Sequence, residues 1–151
     1  MYQRILVPID GSPTSNLGLL EAMKFAKLTG ARLRLIHVVD ELSFAMGSEA
    51  YVSYAGEIIA VLREAGEKVL AEAKTKVEAA GLGVDVVLRE NVTGRVCELI
   101  IEEVKLWPAE LIVLGTHGRR GLERLFMGSD AEEVMRMAPV PVLLVRSSAD
   151  A

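Results

Sequence analysis

Five short apolar runs, separated mainly by segments of helical period, predict an α/β fold: a parallel sheet with helices on both faces. Three observations carry that prediction. The runs Ile5 to Ile9, Leu33 to Val39, Val84 to Leu88, Leu111 to Leu114 and Val140 to Val145 are brief and mostly rich in β-branched residues, as strands buried on both faces are. The segments between them repeat apolar residues every three or four positions. A glycine-rich stretch, Gly115-Thr116-His117-Gly118 with Gly128-Ser129, lies between a strand and a helix. Strands joined through helices in one sheet cross over right-handedly, which makes the sheet parallel.

The elements follow in order. Asp10-Gly11-Ser12-Pro13 ends the first strand and starts a helix, because Ser12 is a capping residue and Pro13 fits the first helical position. Leu19, Met23 and Ala26 share the inner face of that helix, and Gly30 stops it. Residues 40–56 mix Gly47, Ser48, Ser53 and Gly56 with Phe44, Met46, Tyr51 and Tyr54; they read as a loop over one end of the sheet, either a lid or a packed surface segment. Glu57 to Ala80 is a long amphipathic helix with Leu62, Val69, Ala73 and Val77 inward, closed by Gly81 and Gly83. Thr93 to Lys105 is a third helix, with Val96, Ile100 and Val104 inward, and Trp107-Pro108 ends it with the tryptophan packed rather than displayed. Ser129 to Met137 is the fourth, with Ala131, Val134, Met135 and Ala138 on one face.

Composition bounds the function. A chain of 151 residues, 51% hydrophobic and only 5% aromatic, is expected to form one domain over residues 1–151 with an aliphatic core. A net charge of −4 gives no basic excess for general nucleic-acid binding. No apolar run approaches the ~20 residues of a membrane span, and no leader precedes the first strand, so the expected location is cytoplasmic, with no membrane partner. Cys97 is the sole cysteine and reads as a small buried apolar residue. There is no G-x-x-x-x-G-K-[ST], no strand-following G-x-G-x-x-G, no G-x-S-x-G and no cluster of metal-ligand type.

The glycine-rich loop is the candidate site. Gly115 and Gly118 permit backbone conformations and close approaches that other residues do not, and the helix beginning at Ser129 presents free N–H groups that favour an anion. Each residue has a second reading. The glycines also suit a plain turn, and Ser129 with Glu132 forms a capping box that explains the serine by itself. His117 reads as a phosphate contact or an ordinary loop histidine; of Arg119, Arg120 and Arg124 at most one is expected on a phosphate; His37 reads as structural.

Gly115-x2-Gly118-x9-Gly128-Ser129 resembles the nucleotide-binding signature of the universal stress proteins. Arg4-Ile5-Leu6-Val7-Pro8-Ile9-Asp10-Gly11-Ser12 resembles the family's opening and Leu35-Ile36-His37-Val38 its second strand, so the likeness runs from about residue 3 to 146. The resemblance implies a doubly wound five-stranded sheet of order 3-2-1-4-5. That order reverses between strands one and four, and ligands sit beyond the carboxyl ends of strands at such a switch point. It implies that Gly115, Gly118, Gly128 and Ser129 contact ribose and phosphates, and that Pro8, Asp10, Val38 and Leu114 surround adenosine. The implied function is ATP binding by a cytoplasmic stress-response protein, a nucleotide-sensing or regulatory module, with a slow ATP hydrolase or a nucleotide-free interaction module as alternatives. No residue is placed as a catalytic base. A homodimer through Val140 to Val145 is expected, since Pro141 belongs on an edge strand and no charge guards that edge before Arg146. Asp130 departs from the family, where an apolar residue or threonine is usual. It either caps its helix or meets a Mg²⁺ that accompanies the phosphates.

Overall fold

The computed structural model holds one five-stranded sheet, parallel throughout, whose strands run in the order 3-2-1-4-5 of the sequence, the order and class predicted. The model describes residues 1–41, 51–92, 94–116 and 128–147. Its strands are β1 (Arg4–Pro8), β2 (Arg32–Asp40), β3 (Val84–Asn91), β4 (Leu111–Thr116) and β5 (Val142–Arg146). Its helices are α1 (Pro13–Thr29), α2 (Tyr51–Ala79), α3 (Val96–Leu106) and α4 (Gly128–Met137).

The central strand β1 explains the layers. Successive side chains of a strand point to opposite faces. Ile5, Val7 and Ile9 enter one core with Leu33 and Leu35 of β2, Leu111 and Val113 of β4, Leu19 and Met23 of α1, and Leu70 and Val77 of α2. Leu6 enters the other with Ile36, Ile112 and Leu114, closed by Cys97, Ile100 and Val104 of α3 and by Ala131 and Val134 of α4. Each valine, leucine or isoleucine among them, wholly buried, contributes about 1.5–3 kcal/mol. The start of α1 is as read: Ser12 Oγ accepts from Ser15 N at 3.2 Å, and Gly30 closes the helix in the left-handed region at φ 72°.

Four expectations are corrected; the first is that β5 begins at Val142 rather than Val140, since Pro141 has no N–H to give the ladder and only its carbonyl is used, by Ile112 N. α2 begins at Tyr51, so the back of the segment read as a loop is helix, and Leu70 joins its inner face. Residues 42–50 and Thr93 lie outside the described residues. β3 continues past Leu88 to Asn91, because the charged Arg89 and Glu90 sit on an edge strand where polar side chains find partners. Met135 is 44% exposed rather than inward: it lies about 100° round the helix from Val134, outside the narrow face that meets the sheet.

A charge network ties β2 and β3 to α3. Glu103, buried on α3, accepts from Arg34 of β2 at 2.8 Å and from Arg89 of β3 at 3.2 Å, and Arg89 also pairs with Glu102. Arg34 lies over the Trp107 ring at 4.6 Å, which makes Trp107 a packing residue as read. Asp85 of β3 pairs with Arg32 at 2.8 Å and faces Arg34 at 3.8 Å. The Arg32 hydrogen bond, chiefly, holds the Asp85 carboxyl below its ordinary value against partial burial. A depressed carboxyl adds stability above its unfolded value, and that stability is lost as pH falls through the folded value. Asp85→Asn is therefore expected to lower stability at neutral pH by up to about 1 kcal/mol. In urea titrations the gap to wild type should close as pH drops below the carboxylate range.

Candidate functional site

The carboxyl ends of β1 and β4 lie side by side where the sheet reverses direction, and two turns are fixed there. In the first, Ser12 N donates to Asp10 Oδ1 at 2.8 Å and Asp10 N donates to Ser15 Oγ at 3.2 Å. Gly11, at φ 83°, turns the chain between them, a conformation that favours glycine. Asp10 is thus anchored through one carboxylate oxygen while the residue stays exposed.

The second turn follows Leu114. Gly115 has no positive φ, and its need for glycine is steric. A Cβ there would stand 1.9 Å from the Thr14 carbonyl oxygen, and a Cβ on Gly18 would stand 2.7 Å from Gly115 N. Two facing glycines let the first turns of α1 lie directly on the end of β4. The close approach expected at Gly115 is therefore made, among the described residues, by helix α1.

β2 supplies the third wall. Val38 and Asp40 project beyond Ile36, and Asn91 Nδ2 donates to Asp40 Oδ1 at 2.8 Å. His37 bonds the Ile9 carbonyl through Nδ1 at 2.8 Å and packs against Gly66, so it is structural as read.

These ends enclose a cleft of about 240 Å³ roofed by Val96 and Ile100 of α3 and by Asp130, Ala131 and Val134 of α4. Of the predicted residues, Pro8, Asp10, Val38, Leu114, Gly115 and Asp130 line this one cleft. Gly128 and Ser129 open α4, whose first turns form its roof. His117, Gly118 and Arg119, with Arg120 and Arg124, lie outside the described residues. The sequence reading missed Ile9, Ile36, Asp40, Val96, Ile100, Ala131 and Val134 as lining. The only sequence signal for Asp40 was its place at the end of a strand, which does not tell a cleft from an open edge; the apolar helix residues carried no signal distinct from core.

The cleft is apolar in the middle and acidic at the rim. Asp10, Asp40 and Asp130 line it, and no basic side chain does so among the described residues. Burial, then Asp40, then Glu133 push the Asp130 carboxyl up. Behind the roof, Cys97 Sγ donates to Glu133 Oε2 at 3.1 Å, and burial together with Glu133 raises the thiol to about 11. Cys97 is therefore an inert buried thiol, as read. Such a slot suits a flat apolar-faced group in its middle, with an anionic group directed towards the start of α4.

Comparisons with known proteins agree with the fold. The family model described as the universal stress protein family matches residues 1–146. Universal stress protein MJ0531 of Methanocaldococcus jannaschii is 36% identical over 147 residues, covering 97% of this chain and 83% of its own length. Among solved structures, a universal stress protein family member from Burkholderia pseudomallei is 30% identical with a TM-score of 0.78, covering 97% of each chain. Protein MJ0577 is 25% identical with a TM-score of 0.82, covering 99% of each. A universal stress protein solved in complex with cAMP has a TM-score of 0.67 at 24% identity, over 97% of this chain and 98% of its own; this is a likeness of fold.

The glycine pair is testable by the sign of its effect. Gly→Ala inside a helix normally gains up to about 1 kcal/mol. Gly18→Ala should instead destabilise, and Gly115→Ala should cost about 1–3 kcal/mol or more, because the new methyl meets backbone that cannot step aside. Thermal melts of both variants check this; a stabilised Gly18→Ala would show that α1 does not depend on that contact.

Proposed function

Because the chain belongs to the universal stress protein family, we propose that it binds ATP in the cleft between β1, β2, β4 and the start of α4. As one domain it acts as a homodimeric nucleotide-sensing or regulatory protein of the cytoplasm. The observation that carries this is the convergence of Pro8, Asp10, Val38, Leu114 and Gly115 on one cleft at the switch point of the sheet. In this reading adenine occupies the apolar middle between Val38, Leu114 and Ile100. Asp10, held by its turn, takes the ribose, and the triphosphate runs to the N-terminus of α4, where Gly128 and Ser129 stand. Gly118, His117 and Arg119 complete the phosphate loop. The fold likeness to a cAMP complex is in keeping with this, but the lining of the cleft carries the reading.

The acidic rim adds a requirement. Two unit charges ~5 Å apart repel by about 3 kcal/mol at an effective dielectric of ~20. A triphosphate beside Asp130, itself close to Asp40 and Glu133, therefore needs a cation. No group of three acidic, histidine or cysteine side chains suited to a metal occurs among the described residues. Mg²⁺ would accordingly be held mainly by the phosphates, with Asp130 as its contact on the protein, direct or through water. Calorimetric ATP titrations test both proposals together. Wild type should bind one ATP per chain, and Gly118→Val and Ala131→Leu, which fill the loop and the roof, should weaken binding at least about tenfold. Chelation should cost wild type more affinity than it costs Asp130→Val. No binding by wild type would overturn the nucleotide reading; equal losses on chelation would leave Asp130 as a helix-start residue.

The dimer is proposed to form through β5. That strand is an edge of the sheet; Val142 to Val145 are all only half-buried and uncharged, and Pro141 sits immediately before them. α1, which packs against β5, leaves Leu17 and Leu20 exposed. Pairing two such edges across a two-fold axis would cover them. Sedimentation at micromolar concentration should give a dimer for wild type and a monomer for Val145→Lys, which sets like charges across the axis.

A further inference from the structure

A second pocket lies on the other side of the turn that carries Asp10. It encloses about 210 Å³ between the start of α1 and the middle of α2. Its floor is Ile9, Val69 and Ala73, with Ile9 and Ala73 buried. Gly11 forms one wall, packed so closely that a Cβ there would approach Val69 to 3.0 Å. The rim is Asn16 of α1 with Glu72 and Lys76 of α2, all exposed.

Among the described residues the rim charges have no partner. Glu72 and Lys76 stand one helical turn apart in the favourable order, acid before base, yet they make no ion pair. On the same helix, Lys74 and Glu78 do pair, at 3.8 Å. The Asn16 amide also has no side-chain partner among the described residues, its backbone N–H alone being used, by Ser12 O at 3.0 Å. One anion, one cation and an amide therefore border an apolar floor, with Cβ atoms of the charged pair ~5–6 Å apart.

We infer that this pocket is a second binding site, for a small zwitterion of the α-amino-acid class. The ammonium of such a molecule meets Glu72, its carboxylate meets Lys76 and the Asn16 N–H₂, and an aliphatic side chain covers Val69 and Ala73. The two charges of an α-amino acid are adjacent, which matches heads one turn apart. Ile9 lines this pocket and the nucleotide cleft alike, so the two sites share the residue that follows β1.

The test is an amide-resolved NMR titration of the full chain without nucleotide, so that its outcome is independent of ATP binding. L-valine is the probe; isobutyrate and isobutylamine, each lacking one charge, are the controls. L-valine should shift the amides of Gly11, Asn16 and Ala73 saturably, with each control at least about tenfold weaker. Glu72→Gln and Lys76→Gln, both exposed positions that leave the fold intact, should each weaken L-valine about tenfold. Absence of saturable shifts at these amides, equal binding of either control, or unchanged binding by both variants would overturn the assignment.

Discussion

The contact between Gly18 and Gly115 sets the distance on which the site depends. A helix packed on a sheet normally stands off by the thickness of its side chains. Here the first turns of α1 touch the backbone of β4 directly, because neither residue has a side chain to intervene. That approach brings the Asp10 turn, which leads into α1, beside the end of β4. Were α1 to stand off by a methyl group, the turn would move with it and the cleft would lose one wall. A glycine that reads as a loop residue awaiting a ligand is, in the folded chain, first a packing residue between two elements of the scaffold.

Charge is distributed unevenly over the same scaffold. Around β2, β3 and α3, Arg32, Arg34 and Arg89 are matched by Asp85, Glu102 and Glu103, with the buried Glu103 satisfied twice over. A buried carboxylate needs such partners, since removing either arginine leaves it uncompensated. Around the cleft the balance reverses: Asp10, Asp40 and Asp130 gather without a described cation. In sequence, Arg119, Arg120 and Arg124 fall between β4 and α4, outside the described residues. On the proposed reading, an anionic ligand would be held by the helix N–H groups and its own counter-cation together, while the acids select against anions that arrive without one.

The local devices were legible because each is written within a few residues. The apolar runs gave the five strands to within three residues at each end, the helical period gave the inner faces of α1 and α3, and Ser12, Pro13 and Gly30 gave the ends of α1. Where the pattern was blurred the reading slipped. Tyr51 and Tyr54 among serines and glycine hid the start of α2, and the charges of Arg89 and Glu90 hid the end of β3. Met135 was assigned inward because periodicity fixes spacing but not the width of the face that meets the sheet.

By itself the sequence determined the alternation of strands and helices and the turn chemistry at Asp10. With the family resemblance it also determined the strand order and six of the residues that meet in the cleft: Pro8, Asp10, Val38, Leu114, Gly115 and Asp130. Only the tertiary structure decided that Asp40 joins them, that Val96, Ile100 and Val134 form a roof rather than plain core, and that Gly115 answers to Gly18, 97 positions away in sequence. The physical reason is range. Propensity, capping and periodicity act within a turn or two of chain. A close approach between two backbones, or the neighbours of a carboxylate, depends on how crossovers lay distant elements together, and no local pattern records that distance.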